Sequence, residues 1–277
     1  MTSTVTTTVT TTASSLWWQP MTFANNECKG FRIGALQLYL QRQAKQWLIA
    51  TDTIHDDEKV PLQQHNLEML PGHLQPQRYM FTKSPNVCRL VPQLLDRPVV
   101  VKTLQPVRIP PGERATFYIS SPVCIGVVLP ASEVLKSELI LTDIAVQRLS
   151  DTWFGPSTQI GELCYADKTH ARHSKGELKV RPHRAITPVH IHNLSEQMLA
   201  MDKISIPVPY LTLYGDLDGS LWTDSLTIQH KSLLSLASFK IDKLDITKPQ
   251  TSTLLSPPRK TAEKHSLIRA FTDMLSD

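Results

Sequence analysis

The chain has 277 residues, 41% hydrophobic and 19% charged, with 29 basic against 25 acidic side chains and a net charge of +4. That balance excludes a globally disordered chain, and it is too weak over the whole molecule to imply a nucleic-acid partner. Prolines outnumber glycines 20 to 10. Proline ends helices and is confined to turns, edges and strand starts, so short Val/Ile/Leu/Tyr runs between prolines predict β structure.

The chain begins M-T-S-T-V-T-T-T-V-T-T-T, a Thr-rich head (residues 1–15) expected to be disordered. It has neither the basic nor the apolar region of a secretory signal, and no later segment approaches the ~18 apolar residues of a membrane span. The expected location is therefore the cytoplasm. Cys28, Cys88, Cys124 and Cys164 are widely spaced and form no C-x-x-C pair, which reads as four reduced thiols.

Order is expected from Leu16-Trp17-Trp18. Phe31 to Gln41 alternates as a strand, with Leu36, Leu38 and Leu40 on one face. It is followed by a polar break at Arg42 to Lys45 and a partner strand, Gln46 to Ala50. Residues 52–77 are polar and interrupted by proline, and read as a long loop. Val99 to Leu104, Thr116 to Ser120 and Val123 to Leu129 read as strands around the Pro110-Pro111-Gly112-Glu113 turn. The last of them is apolar on both faces, which predicts a place between layers. Ser137 to Leu149 fits helix less well than strand. Asp151 to Pro156 reads as a corner and Gly161 to Ala166 as a short strand. Lys168 to Arg184 is polar and basic.

Strands follow at Pro188 to Asn193 and Leu199 to Ile206. Ile204 to Ile228 reads as strands joined by the turn Asp216-Leu217-Asp218-Gly219-Ser220. That turn has the opening of a calcium loop without its later ligands, and hairpin chemistry accounts for it. Ser232 to Ile246 continues in strands. Residues 248–262 read as a Pro-rich linker, and 263–277 as an amphipathic helix with Leu267, Ile268, Phe271 and Leu275 at helical spacing.

Two constellations could carry chemistry. His190-Ile191-His192 on a strand points two imidazoles to one face, an arrangement suited to a divalent metal. A third ligand could come from His170, His173, Glu162 or Asp167. Against this, no spacing matches a zinc signature, and solvent-facing histidines explain the pattern as well. The second constellation is Lys168, Arg172, Lys175, Lys179, Arg181 and Arg184, opposed only by Glu177. It could hold an anionic partner, although a solvated loop gives the same pattern. Nucleophile elbows, dinucleotide fingerprints and P-loops are absent from the sequence. Asn193-Leu194-Ser195 is a glycosylation sequon without a secretory context.

T-W-F-G-P…G-E-L-C-Y-A (Thr152 to Ala166), H-I-H-N-L-S (His190 to Ser195) and I-P-V-P-Y-L-T-L-Y…L-W-T-D (Ile206 to Asp224) stand beside the early G-F-R-I-G-A-L-Q-L-Y-L. With these motifs the chain resembles the bacterial and archaeal proteins of domain-of-unknown-function family 432. The resemblance covers roughly residues 27–247 and implies no activity, cofactor or catalytic residue.

The expected fold is all-β, a β-sandwich of one body or two sandwich-like halves, residues 16–150 and 151–247, followed by the linker and the C-terminal helix. The expected function is a non-catalytic interaction or regulatory module, with another protein as partner or a homo-oligomer. The alternatives are a metal-dependent β-fold enzyme using His190 and His192, and anion recognition through residues 168–184.

Overall fold

The computed structural model describes residues 16–54, 62–155, 161–231, 236–243, 252–261 and 267–269. The Thr-rich head lies outside them. In chain order the strands are β1 (Met21–Thr22), β2 (Cys28–Ile33), β3 (Leu36–Gln43), β4 (Gln46–Thr53), β5 (Gln63–Leu67), β6 (Gln77–Met80) and β7 (Val87–Gln93). Next come β8 (Val99–Ile109), β9 (Arg114–Pro122), β10 (Cys124–Leu129), β11 (Leu139–Ala145), β12 (Ser150–Phe154), β13 (Glu162–Ala171) and β14 (Arg184–Asn193). The last are β15 (Leu199–Ile206), β16 (Leu213–Gly215), β17 (Leu221–Thr223), β18 (Ser225–His230), β19 (Leu236–Asp242), β20 (Thr253–Ser256) and β21 (Leu267–Arg269). Two 3-10 turns, Lys175–Glu177 and Val208–Tyr210, are the only helical elements among the described residues. The protein is all-β.

Two compact units are interleaved along the chain. The first comprises Met1–Pro92 and Cys124–Gln147, the second Gln93–Val123 and Arg148–Asp277. The chain passes between the units at Pro92/Gln93, Val123/Cys124 and Gln147/Arg148.

The first unit holds a five-stranded antiparallel sheet, β5-β2-β3-β4-β6, and a four-stranded sheet, β1-β7-β10-β11. Phe31 to Gln41 is not one strand: Gly34-Ala35 forms a two-residue turn between Ile33 and Leu36, and Gly34 sits at φ 60°. The expected loop 52–77 contains the polar edge strand β5, whose Gln63-Gln64-His65-Asn66 carries no apolar alternation. Arg42 on β3 donates to the carbonyls of Pro85 (2.9 Å) and Ser84 (3.0 Å), and Trp47 on β4 donates to Pro85 (3.0 Å). These bonds tie the five-stranded sheet to the loop before β7. All six residues of β10 are buried, as a strand apolar on both faces requires.

The second unit holds a four-stranded sheet, β12-β13-β8-β15, and an eight-stranded sheet ordered β20-β16-β17-β14-β18-β19-β21, with β9 on the free side of β14. The Pro110–Glu113 turn is a crossover between sheets, since β8 pairs with β13 and β15 while β9 pairs with β14. Asp151 to Phe154 is strand, not corner, paired to β13. Residues 156–160 lie outside the described set.

The C-terminal expectations need correction. Thr253–Ser256, expected in a linker, adds β20 to the edge of β16. Arg259 Nε then donates to Leu94 O and Lys260 N to Pro209 O (2.9 Å), which straps the segment across the unit. Within the expected helix 263–277, Leu267–Arg269 form β21 against β19, and the rest of that span lies outside the described residues. A waiting sheet edge outweighs local helical spacing here, because a short isolated helix is marginal without a surface to bury its apolar face.

Candidate functional site

The site is built on the middle of the eight-stranded sheet. Strand β14 runs antiparallel to β9 and parallel to β18, with β19 beyond. Its side chains alternate: Val189, Ile191 and Asn193 are buried, while His190 and His192 point to the other face and are half-buried. The alternation expected for H-I-H is therefore present.

Register sets the neighbours of the two imidazoles. His190 lies opposite Thr116 on β9 and Thr227 on β18; His192 lies opposite Arg114 and Gln229. Thr227 in turn faces Lys240 on β19. These side chains, with Asp242, line a concavity of about 500 Å³. Within it Thr116 Oγ1 and His190 Nδ1 are hydrogen-bonded at 3.0 Å. Asp242 accepts from Thr227 Oγ1 at 2.8 Å and pairs with Lys240 at 2.6 Å. Burial pushes the Asp242 carboxyl upward, but the hydrogen bonds from Lys240 and Thr227 and the neighbouring Lys240 and His190 outweigh it. The group is held below the usual carboxylate range. Arg114, exposed on the rim, contributes a second cation.

The structure does not bring His170 into this concavity. His170 is exposed on β13, in the other sheet, beside Lys102. His173 packs against the buried Phe117 ring (centroids 4.6 Å apart), on the opposite face of β9 from Thr116. Glu162 lies at the far end of β13, and Asp167 is buried against Arg184. Among the described residues no group of three or more His, Cys, Asp or Glu is arranged to hold a metal ion.

The six basic side chains are dispersed. Lys168 is exposed on β13, and Lys175 lies over the Trp222 indole at 4.2 Å. Lys179 is exposed and Arg181 half-buried on the segment before β14. Arg172 joins a backbone bridge to Tyr118. Arg184 is not available to an outside anion. Its side chain is only 3% exposed and pairs with Asp167, while Nε and Nη2 donate to Ser120 Oγ and Ser120 O (3.0 and 2.6 Å).

Two of the sequence motifs are structural. Asn193 is fully buried; Nδ2 donates to Ile109 O (2.8 Å) and Gln197 O (2.7 Å), and Oδ1 accepts from Ser195 N and Oγ. In this fold the sequon side chain is a clamp closing the β8–β9 crossover and the β14–β15 loop. The Asp216–Ser220 turn is held by its own bonds: Asp218 Oδ1 accepts from Ser220 N (2.9 Å) and Oγ (2.5 Å), and Gly219 takes φ 82°. Those bonds from Ser220 hold the Asp218 carboxyl below its ordinary value.

Arg114, Thr116, Thr227, Gln229, Lys240 and Asp242 complete the site without being singled out by any sequence motif. The signal for the first four was present as polar residues at every second position of apolar strands. Which strands flank β14 depends on a long-range pairing that one sequence does not display.

The fold defines an all-β protein with a polar, concave sheet face. The chain matches the family described as "protein of unknown function (DUF432)" over residues 17–275, and it belongs to that family. The match extends beyond the 27–247 expected from the motifs, so the strapped C-terminal segment with β20 and β21 is part of the family's span. No curated protein and no solved structure matches the chain.

Proposed function

We propose that this protein is a non-catalytic binding module that takes its ligand on the concave face of β9, β14, β18 and β19. The carrying observation is the content of that face. Open donors from Arg114, His192 and Gln229 converge there with the Lys240–Asp242 pair. Its single carboxylate is already engaged by Lys240 and Thr227. A metal enzyme needs a complete ligand set and supporting outer contacts. Here Thr116 holds His190 Nδ1, and Asp242 is turned to Lys240.

Thiol chemistry also has little support. Burial pushes Cys28 to about 11, and Cys88 and Cys164 to about 12, so the nucleophilic thiolate is disfavoured at neutral pH. Among the described residues the four cysteines are buried and form no disulfide, which supports a reducing compartment, the cytoplasm. No helix among the described residues is long and apolar enough to cross a membrane.

Elemental analysis of untagged protein tests the proposal. Zinc, iron, manganese, nickel and copper are expected well below one equivalent and unchanged by His190→Ala. One equivalent of metal, lost in His190→Ala, would replace the binding module with the metal-dependent enzyme.

A further inference from the structure

We infer that the ligand of this face is a small phosphate monoester, bound through Arg114, His192, His190 and Gln229; this rests on the binding-module reading above.

The charge of the concavity favours an anion. Two cationic side chains, Arg114 and Lys240, face one carboxylate, Asp242, and Lys240 already neutralises that carboxylate. Among the described residues neither the Arg114 guanidinium nor the His192 imidazole has a hydrogen-bonding or ionic partner, and the Gln229 amide has none either. A guanidinium offers up to five donors in a rigid fork suited to phosphate oxygens, and an amide adds two more. His190 uses Nδ1 for Thr116, which leaves Nε2 for the concavity. Donors therefore outnumber open acceptors, which selects an acceptor-rich ligand.

Geometry then favours phosphate over a lone carboxylate. Neighbouring strands stand ~4.8 Å apart, so donors on β9, β14 and β18 approach from three lines about 10 Å across. A planar carboxylate meets one fork in one plane, whereas a tetrahedral oxyanion presents oxygens to several sides. The volume of about 500 Å³ lies in the range of small-molecule sites, which leaves room for the organic part of a metabolite-sized monoester. The Lys240–Asp242 pair beside Thr227 offers donors and acceptors to hydroxyls on that part.

Isothermal titration of the full chain with inorganic phosphate and with glycerol 3-phosphate, at neutral pH and low salt, tests the inference. Saturable binding is expected, tighter for the monoester, with succinate weaker than either. R114Q and H192Q should each weaken it about tenfold or more, the loss of one charge-assisted hydrogen bond. A K168Q/R172Q control should leave it unchanged. Circular dichroism checks folding, and Q229A at the half-buried edge of the same face serves if either variant is unstable.

Absence of saturable phosphate binding, indifference to R114Q and H192Q, succinate binding as tightly as phosphate, or loss in K168Q/R172Q would each overturn the inference. Failure here with metal-free protein removes only the phosphate assignment. One equivalent of metal bound through His190 removes the binding-module reading itself.

Discussion

Replacing Asp167 by Asn would remove the carboxylate that pairs with the buried Arg184 guanidinium. The side chains of the pair are 3% and 1% exposed, so water cannot substitute for the lost carboxylate. Removing one partner of a buried ion pair costs about 3–5 kcal/mol. Here Ser120 and Thr169 keep accepting from Arg184, at 3.0, 2.6 and 3.3 Å, which places the expected loss near ~3 kcal/mol, the lower end of that range. Urea unfolding followed by tryptophan fluorescence measures it. With a slope of about 2 kcal/mol per molar, the midpoint should fall by about 1.5 M. The double variant Arg184→Met/Asp167→Leu removes both charges and keeps apolar volume, so it should be less destabilised than Asp167→Asn alone. A midpoint shift below about 0.3 M for Asp167→Asn, or a double variant worse than the single, would refute the claim that breaking the buried ion pair sets the cost.

Other expectations follow from the same physics. Gly30→Ala would place a Cβ 2.7 Å from His65 Cε1 across the β2–β5 ladder; a loss of about 1–3 kcal/mol and a shifted His65 imidazole signal are expected in urea titration and NMR. Asn193→Ala leaves the buried carbonyls of Ile109 and Gln197 without their donor, so about 1–3 kcal/mol should be lost, seen as a lowered melting temperature. Burial raises the folded Cys88 thiol from 9.0 to about 12, so its contribution is fully present below pH 9 and is lost as pH rises from 9 toward 12. The urea midpoint should therefore fall above pH 9, with a shallower fall in Cys88→Ala.

Much of the fold was legible where burial is one-sided. Leu199–Ile206 was readable as a strand, and the Asp216–Ser220 hairpin followed from turn chemistry. The polar edge strand Gln63–Leu67 was not readable, since it has no apolar face to announce it. Leu267–Arg269 carried helical spacing and became a strand because β19 offers an unpaired edge. The candidate site was half legible. His190 and His192 declared a shared face through their spacing, while Arg114 and Asp242 stand 76 and 52 residues away from His190 in sequence and meet it only through strand order. Arg184 illustrates the converse: a basic run in sequence says nothing about which member is turned inward.

The interleaved path of the chain has a consequence for anyone who would dissect it. A single cut near residue 150 would separate β8 and β9 from the unit they complete, and with β9 would go Arg114 and Thr116. Fragments from such a cut are expected to lack phosphate binding even if each were to collapse. Contacts of this separation also close long loops before any ladder forms, which favours slow folding from the intact polypeptide over assembly from pieces. In practical terms no continuous stretch of chain spanning β9 to β19 carries the concave face without also enclosing the segment Cys124–Gln147 of the other unit.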